Sequence, residues 1–425
     1  MEKETISGAG SETTAQRQQL RVLFVSHDGA LAGAQRALLT LLTAIDRKRF
    51  EPHVIVPFEG PLSEAASSIG VKFWVRHLVP WLPGVRGLSQ SRARHALNVL
   101  GTLRSRSWAV ANLILRHQID LVYTNTVTCV EGAVAARMAR KPHVWHIHEA
   151  IRGNADLMPL LPLGIYSRFV RTLSASVIFC SSSLADAYPH LAKKGVVVHN
   201  GLPFPSSFDR TGARRRVSEQ IGIGPATRIV AVVAELNPRK DHDTFLQAAK
   251  KTLQQIEDVV FLIVGSGSES QVRRIRDKIE SLGIAPSVRI TGWWREDKIY
   301  ELLAAIDVLV ISSEQEPFGL TAIEALAVET PVVSTRCGGP EEIIRDGRTG
   351  SLVPIRDPSA MAAAIVRLLD LPRAARDFGQ DGRRDVLARF GVDRYARRIE
   401  DVMQMSASGS PDFSLVEVDR LWREN

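Results

Sequence analysis

The stretch Ser313-Glu-Gln-Glu-Pro-Phe-Gly-Leu-Thr-Ala-Ile-Glu324 decides how the rest of the chain reads. An apolar run of strand length, Val308–Ser312, leads into it. Pro317 and Gly319 then force a turn, and Leu320–Val328 has helical composition. A strand, a turn and a helix in that order present backbone N–H groups at a helix N-terminus. Oriented amides and the helix dipole hold a diphosphate there, each contact contributing about 0.3–1 kcal/mol at an exposed site. Glu316 precedes the turn and Glu324 lies about one turn into the helix. A carboxylate accepts more than one hydroxyl hydrogen bond, so the two suit the diols of ribose and hexose. Most glutamates are solvated surface acids, but Glu324 stands in an otherwise apolar helix, LTAIEALAV.

Working outward, the same alternation of short apolar runs and helical stretches fills the second half. Strand candidates are Arg228–Glu235, Val259–Val264, Val288–Thr291, Val308–Ser312, Pro331–Ser334 and Gly350–Val353. The first half repeats the pattern with Leu20–Ser26, Glu51–Pro57, Val71–Val75, Leu121–Thr124, His143–His148, Ser176–Cys180 and Val196–His199. Strands alternating with helices predict an α/β chain with two doubly wound parallel sheets. The segment 201–225 is rich in Pro, Gly, Ser and Arg and reads as the hinge between them. The expected organisation is therefore a disordered tail over 1–19, a first domain over 20–200, the hinge over 201–225 and a second domain over 226–385. A C-terminal helix over 386–405, able to cross back to the first domain, and a loose tail over 406–425 complete it.

Bulk properties agree with this division. At 425 residues, with 45% hydrophobic and 24% charged, the chain can bury two globular cores. Cys129, Cys180 and Cys337 lie far apart without a CxxC pair. That excludes a disulfide framework or zinc ribbon and leads to the expectation of a reducing, cytoplasmic setting. No apolar run is long enough to span a bilayer.

Several short motifs fall in order along the chain. They are G-A-Q at 33–35, W-H-I-H-E at 145–149, H-N-G at 199–201 and N-P-R-K at 237–240. E-P-F-G-L-x-x-x-E-A-L-A at 316–327, T-P-V-V-S-T-x-x-G-G-x-x-E-I-I at 330–344 and G-x-L-V-P at 350–354 follow. Together they resemble the GT-B glycosyltransferases of the large retaining family 4, over Arg21 to about Met403. The resemblance implies two Rossmann-like domains facing a cleft, and transfer of a hexose from a nucleotide-diphosphate sugar to a saccharide or lipid-linked saccharide. It further implies that Glu324 holds the nucleotide ribose and Glu316 the donor-sugar hydroxyls, with Phe318, Gly319 and Leu320 offering amides. Arg239 and Lys240 resemble the basic pair on the diphosphate, whose cations would stabilise the charge of the leaving group. His148 would point toward the donor sugar, and Gly33, lacking a Cβ, would approach the diphosphate. Three positions depart from the family. Glu235 stands where an Arg is usual, leaving phosphate to Arg239; Ala32-Gly33 replaces a Gly-Gly pair; and Glu329 replaces a Gly.

Other chemistry is weaker. His146 and His148 share one face of a strand, which fits either a buried satisfied pair or the cleft histidine the resemblance implies. They lack further ligands at metal spacing. Asp241-His242-Asp243 reads as a helix cap rather than a metal motif, so no metal or other cofactor is expected beyond the sugar nucleotide itself. Gly265-Ser266-Gly267 lacks the third glycine of a dinucleotide fingerprint. Nucleobase contacts are expected around Gly292–Trp294.

Net charge is +8, and residues 65–119 hold eight Lys/Arg without one Asp or Glu. With Trp74, Trp81, Leu97, Leu100 and Leu103 beside Arg92, Arg104 and Arg106, this stretch fits either a surface lying on an anionic membrane or an ordinary helix with a basic outer face. A peripheral place on the inner face of the membrane follows from the first. No nucleic-acid recognition motif is visible. Two rival functions stay open: a nucleotide-sugar-binding protein without transfer activity, and a nucleotide-sugar epimerase.

Overall fold

A computed structural model of the chain describes residues 19–84, 91–154 and 157–409. Seven parallel strands make the first sheet: β1 (Leu20–Val25), β2 (Phe50–Val56), β3 (Lys72–Val75), β4 (Leu121–Thr124), β5 (His143–Ile147), β6 (Ser176–Phe179) and β7 (Gly195–Val197). Their order is β3-β2-β1-β4-β5-β6-β7. The second sheet holds β8 (Arg228–Val233), β9 (Val259–Val264), β10 (Val288–Gly292), β11 (Val308–Ile311), β12 (Val332–Thr335) and β13 (Gly350–Val353), ordered β10-β9-β8-β11-β12-β13. Helices cover both faces of each sheet, so the central strands are buried throughout and read as continuous apolar runs such as VVFLIV in β9. The fold is the expected pair of parallel-sheet α/β domains.

In each sheet the chain order reverses once, between β1 and β4 and between β8 and β11. Loops leaving the carboxyl ends of neighbouring strands diverge at such a point, and ligands of open α/β sheets bind in the crevice this leaves. The loops of interest, 26–33 after β1, 125–130 after β4, 234–240 after β8 and 312–319 after β11, all begin at these reversals.

The boundaries between domains differ from the sequence reading. Within 201–225, taken as one hinge, Arg210–Ile221 form a helix belonging to the second domain. Arg210 Nη2 donates to Val328 O (2.8 Å), and Arg214 Nη1 meets Asp307 Oδ2 (2.9 Å). Only a short segment therefore crosses: Leu202 N donates to Phe390 O (3.0 Å), so the outgoing and returning chains run side by side. The C-terminal helix starts at Val392, not 386, because the Pro372–Arg389 helix still packs in the second domain and Phe390-Gly391 break the run. Val392–Ala407 then lies on the first domain, where Tyr395 Oη donates to Ala37 O (3.3 Å) and Ser176 and Ser406 hydroxyls meet at 2.8 Å. Ser406 is thus buried in a helix rather than in a tail. The remaining tail readings, over 1–18 and 410–425, lie outside the described residues.

The basic stretch is also partly redrawn. Residues 85–90, with Arg86, lie outside the described part. Arg92–Arg116 form one helix that exposes Leu97, Leu100, Trp108 and Leu115. Arg106 faces inward and bonds the buried Glu131 carboxylate (2.9 Å). Trp81 is core, its indole N–H donating to Val127 O (2.7 Å), and Leu103 is partly buried against the same core. Trp74 stacks on His53 at 5.3 Å. Arg106 and Trp81 therefore add nothing to an exposed face, and Trp74 and Leu103 are only partly exposed.

Candidate active site

In the second domain two loops are stitched together at the end of β11. Ser312 Oγ donates to Lys240 O (2.7 Å) and Glu314 N to Arg239 O (2.8 Å), which brings the 237–240 loop against the 313–319 loop. Glu316 N donates to Cys337 O and Gly339 N to Glu316 O, both at 2.8 Å, so the turn rests on a third loop. Glycine is required twice here. Gly319, at the N-terminus of the Leu320–Ala327 helix, has φ +105°, and a Cβ on Gly339 would lie 2.2 Å from Phe318 Cα. The Phe318 ring is buried, 5.7 Å from His199 and 5.8 Å from Phe390, so it anchors the turn while the backbone of Gly319 and Leu320 opens the helix.

Lys240 Nζ donates to Glu316 Oε2, and Ser313 Oγ approaches the same oxygen at 3.4 Å. Two residues to which the resemblance gives separate partners thus form an ion pair with each other. Glu324 is 1% exposed, and its Oε1 accepts from Arg36 Nη2 on the Gly33–Ala44 helix of the first domain. Arg36 was missed by the sequence reading. It follows the G-A-Q motif directly, but nothing local marks it as a partner of a residue 288 positions away. Glu235 is exposed and accepts from Asn237 Nδ2 (3.1 Å). Arg239, four residues further on, is half-buried in the loop it shares with Lys240.

In the first domain Gly33 opens its helix exposed, with nothing within 4 Å of where a Cβ would project. Asn125, at the end of β4, bridges two site elements: its amide donates to Ala34 O (2.8 Å) and its oxygen accepts from His148 Nε2 (3.1 Å). That bond sets the His148 tautomer with the proton on Nε2. His146 lies deeper, its Nδ1 2.6 Å from Tyr123 Oη. Glu149 is used locally, accepting from Thr126 Oγ1 (2.8 Å) and Val127 N (3.1 Å). Asp241 caps the His242–Leu253 helix through Thr244 N (3.1 Å), and Asp243 pairs with Arg274.

A further set of contacts, none foreseen, joins the domains. Glu342 accepts from Ser182 N (3.0 Å), Ser183 N (2.8 Å) and His199 Nε2 (2.8 Å). Burial alone would raise its pKa, but the His199 bond and the two amides outweigh that and hold it below the usual carboxylate range. Ser181 Oγ donates to Pro317 O at 2.5 Å, and Gln315 Nε2 to Arg152 O at 3.2 Å. The Glu316–Leu320 turn is therefore held by both domains.

Burial has a consequence for acid stability. It lowers the pKa of His143 and His148 to about 3, His242 to about 4, and His146 well below its usual value. A histidine whose folded pKa lies below its unfolded value of about 6.5 takes up a proton on unfolding at intermediate pH, so its neutral burial is tolerated above pH 6.5 and penalised below. Each such group costs about 1.4 kcal/mol per pH unit in that window. Urea unfolding should show stability falling by several kcal/mol between pH 7 and pH 5. An unchanged midpoint would contradict the neutral, buried assignment.

Residues 31–203 match the family described as Glycosyltransferase Family 4, and residues 213–385 the one described as Glycosyl transferases group 1. A relative named D-inositol 3-phosphate glycosyltransferase 2, from Catenulispora acidiphila, is 35% identical over 208 residues, covering 45% of this chain and 48% of the relative. N-acetyl-alpha-D-glucosaminyl L-malate synthase of Bacillus anthracis is 29% identical over 187 residues, covering 44% and 48%. The chain spans about half the length of the curated relatives it matches. Among solved structures, Anabaena HepE in complex with UDP-glucose has a TM-score of 0.74 at 22% identity, over 91% of this chain and 99% of that one. Sucrose-phosphate synthase from Thermosynechococcus elongatus reaches 0.71 at 19% identity, over 92% and 100%. Both share the two-domain fold. With a Family 4 first half, a group 1 second half and the GT-B arrangement of two parallel-sheet domains, the chain belongs to the family 4 and group 1 glycosyltransferases.

Proposed function

We propose that the chain is a retaining glycosyltransferase moving a hexose from a nucleotide-diphosphate sugar to a saccharide or lipid-linked saccharide. One observation carries this reading: Glu324, Lys240, Glu316 and the Gly319 helix start, with Arg36 and Gly33 from the first domain, converge where both sheets reverse. In the proposed roles Glu324 binds ribose and Glu316 the sugar hydroxyls. Gly319 and Leu320 present amides, Phe318 fixes their turn, and Arg239 and Lys240 meet the diphosphate. His148, oriented by Asn125, faces the sugar. The bond from the sugar's anomeric carbon to the diphosphate breaks as the acceptor oxygen bonds the same face, and the acceptor proton passes to the departing phosphate. Position and leaving-group stabilisation supply most of the rate. The reaction is proposed to need no divalent metal, since Asp241 and Asp243 already serve a helix cap and Arg274.

The test is a thermal-shift and hydrolysis screen of UDP-, GDP- and ADP-sugars on wild type and Glu324→Ala. One nucleotide should stabilise the wild type selectively, by about 2.7 kcal/mol at a hundredfold excess over Kd, and its sugar should be slowly hydrolysed. A shift with no turnover, even with acceptors, would mark a binding protein. An isomerised donor released without acceptor would mark an epimerase.

Two features bear on the acceptor. The relatives' names include inositol 3-phosphate and malate, so a small anionic acceptor is the second reading for a first domain rich in cations. The first remains a lipid-linked saccharide met by a chain lying peripherally on the anionic, cytoplasmic membrane face. In its support, exposed Leu97, Leu100 and Trp108 stand beside Arg92, Arg94 and Arg104. The Leu163–Leu173 helix adds exposed Ile165 and Phe169 beside Arg168 and Arg171. Flotation should carry the chain with anionic but not neutral liposomes; equal recovery with both would overturn the electrostatic docking.

A further inference from the structure

Where the chain returns from the second domain to the first, Gly391 pairs with Leu202 and separates two helices. Beside this crossing lies a cavity of about 270 Å³. Three arginines line it, Arg389 from the helix before the break and Arg394 and Arg398 from the helix after, with His199, Phe390 and Tyr395. No Asp or Glu is among the lining residues. None of the residues proposed for the donor lines it either.

Arg394 and Arg398 are four residues apart on one helix face, where like charges repel by a few tenths of a kcal/mol, and Arg398 also acts on the Asp401 carboxylate. Arg394 is exposed and has no ion-pair partner among the described residues. Arg389 is partly compensated: its Nη1 meets Asp385 Oδ2 at 2.6 Å and its Nη2 donates to Glu342 O. His199 is bonded to the Glu342 carboxylate. The Val392–Ala407 helix starts at Gly391 with no side-chain cap, so its positive end adds to the same field. Asp393, the acid of its first turn, is not in the lining. Guanidinium forks from two helices match the oxygens of a tetrahedral anion, and the volume lies below that of pockets for drug-sized ligands.

We propose that this hinge cavity binds a compact oxyanion of the phosphate class, either free phosphate or the phosphate of a small sugar ester. The site is separate from the donor crevice, yet its wall touches it: the rings of His199 and Phe390 both pack on Phe318, whose backbone opens the donor helix. The proposal does not depend on the donor reading.

The experiment titrates inorganic phosphate and a hexose 6-phosphate, separately, into the whole chain by calorimetry in chloride buffer. Wild type, Arg394→Glu, Arg398→Gln and the Arg239→Ala/Lys240→Ala double variant are compared. Wild type and the double variant should bind alike, while Arg394→Glu and Arg398→Gln each lose at least tenfold in affinity with unchanged melting temperatures in chloride. Tighter binding of the ester assigns the occupant as a phosphosugar, and equal binding as phosphate itself. If either variant unfolds, Lys takes its place: the charge is kept but the guanidinium fork is lost, so binding should weaken severalfold, and wild-type affinity in both Lys variants overturns the site. Wild-type affinity in Arg394→Glu, or loss of all binding in the Arg239→Ala/Lys240→Ala variant, overturns it.

Discussion

Replacing Arg239 and Lys240 together by alanine is expected to lower kcat by about a hundred- to a thousandfold while KM for the donor changes much less. The magnitude follows from what the charges do. In the ground state a diphosphate ester is already anionic, but on leaving it gains a further negative charge, and preorganised cations or donors at that position contribute about 3–4 kcal/mol. In the structure Lys240 is paired with Glu316. In the proposed roles, donor binding redistributes this interaction: the ammonium turns to phosphate as the carboxylate turns to sugar hydroxyls. Ground-state affinity gains little from such an exchange, and the benefit appears as charge develops. Single-turnover kinetics on the double variant checks this. A wild-type kcat with a raised KM would show that the pair only binds substrate.

The second large effect concerns Glu324. Glu324→Ala should weaken nucleotide affinity by roughly a hundredfold, about 3 kcal/mol: in its proposed role the carboxylate accepts two charge-assisted hydrogen bonds from ribose, worth about 1.5–3 kcal/mol each, less some compensation by water. The same change leaves Arg36 without this carboxylate, but its side chain is 26% exposed and water can solvate it. The reverse substitution differs. Arg36→Ala takes this guanidinium away from a carboxylate only 2% exposed, and removing one partner of a largely buried ion pair costs about 3–5 kcal/mol. Arg36→Ala should thus be the more destabilising variant and Glu324→Ala the more deficient in binding. Urea unfolding and nucleotide titration on both separate the two effects, and a Glu324→Ala variant that binds nucleotide like wild type would remove Glu324 from the site.

Both predictions depend on contacts of very different legibility. The EPFGLTAIE turn was readable because every step is local: an apolar strand, Pro and Gly at fixed offsets, and a helix whose apolar composition makes one Glu stand out. The alternation of strands and helices was readable for the same reason, since period and composition act over a few residues. Asp241 as a cap needed only its place before a helix. Less local features failed. Arg106 looked like part of a basic surface because the sequence does not show that Glu131 lies opposite it in the core. Residues 201–225 looked like linker because Pro, Gly and Arg dominate, yet Arg210 and Arg214 bond backbone and Asp307 of the second domain. The Glu342–Ser182/Ser183–His199 cluster left no local signal at all.

By itself the sequence determined the parallel α/β class, the two-domain plan and the loops where chemistry is placed, because strand propensity, turn residues and helix starts are decided by near neighbours. Tertiary structure alone decided that Arg36 meets Glu324 and that Lys240 meets Glu316. Those pairings join residues tens to hundreds of positions apart, and charges distant in sequence are matched only when folded strands bring their loops to one edge.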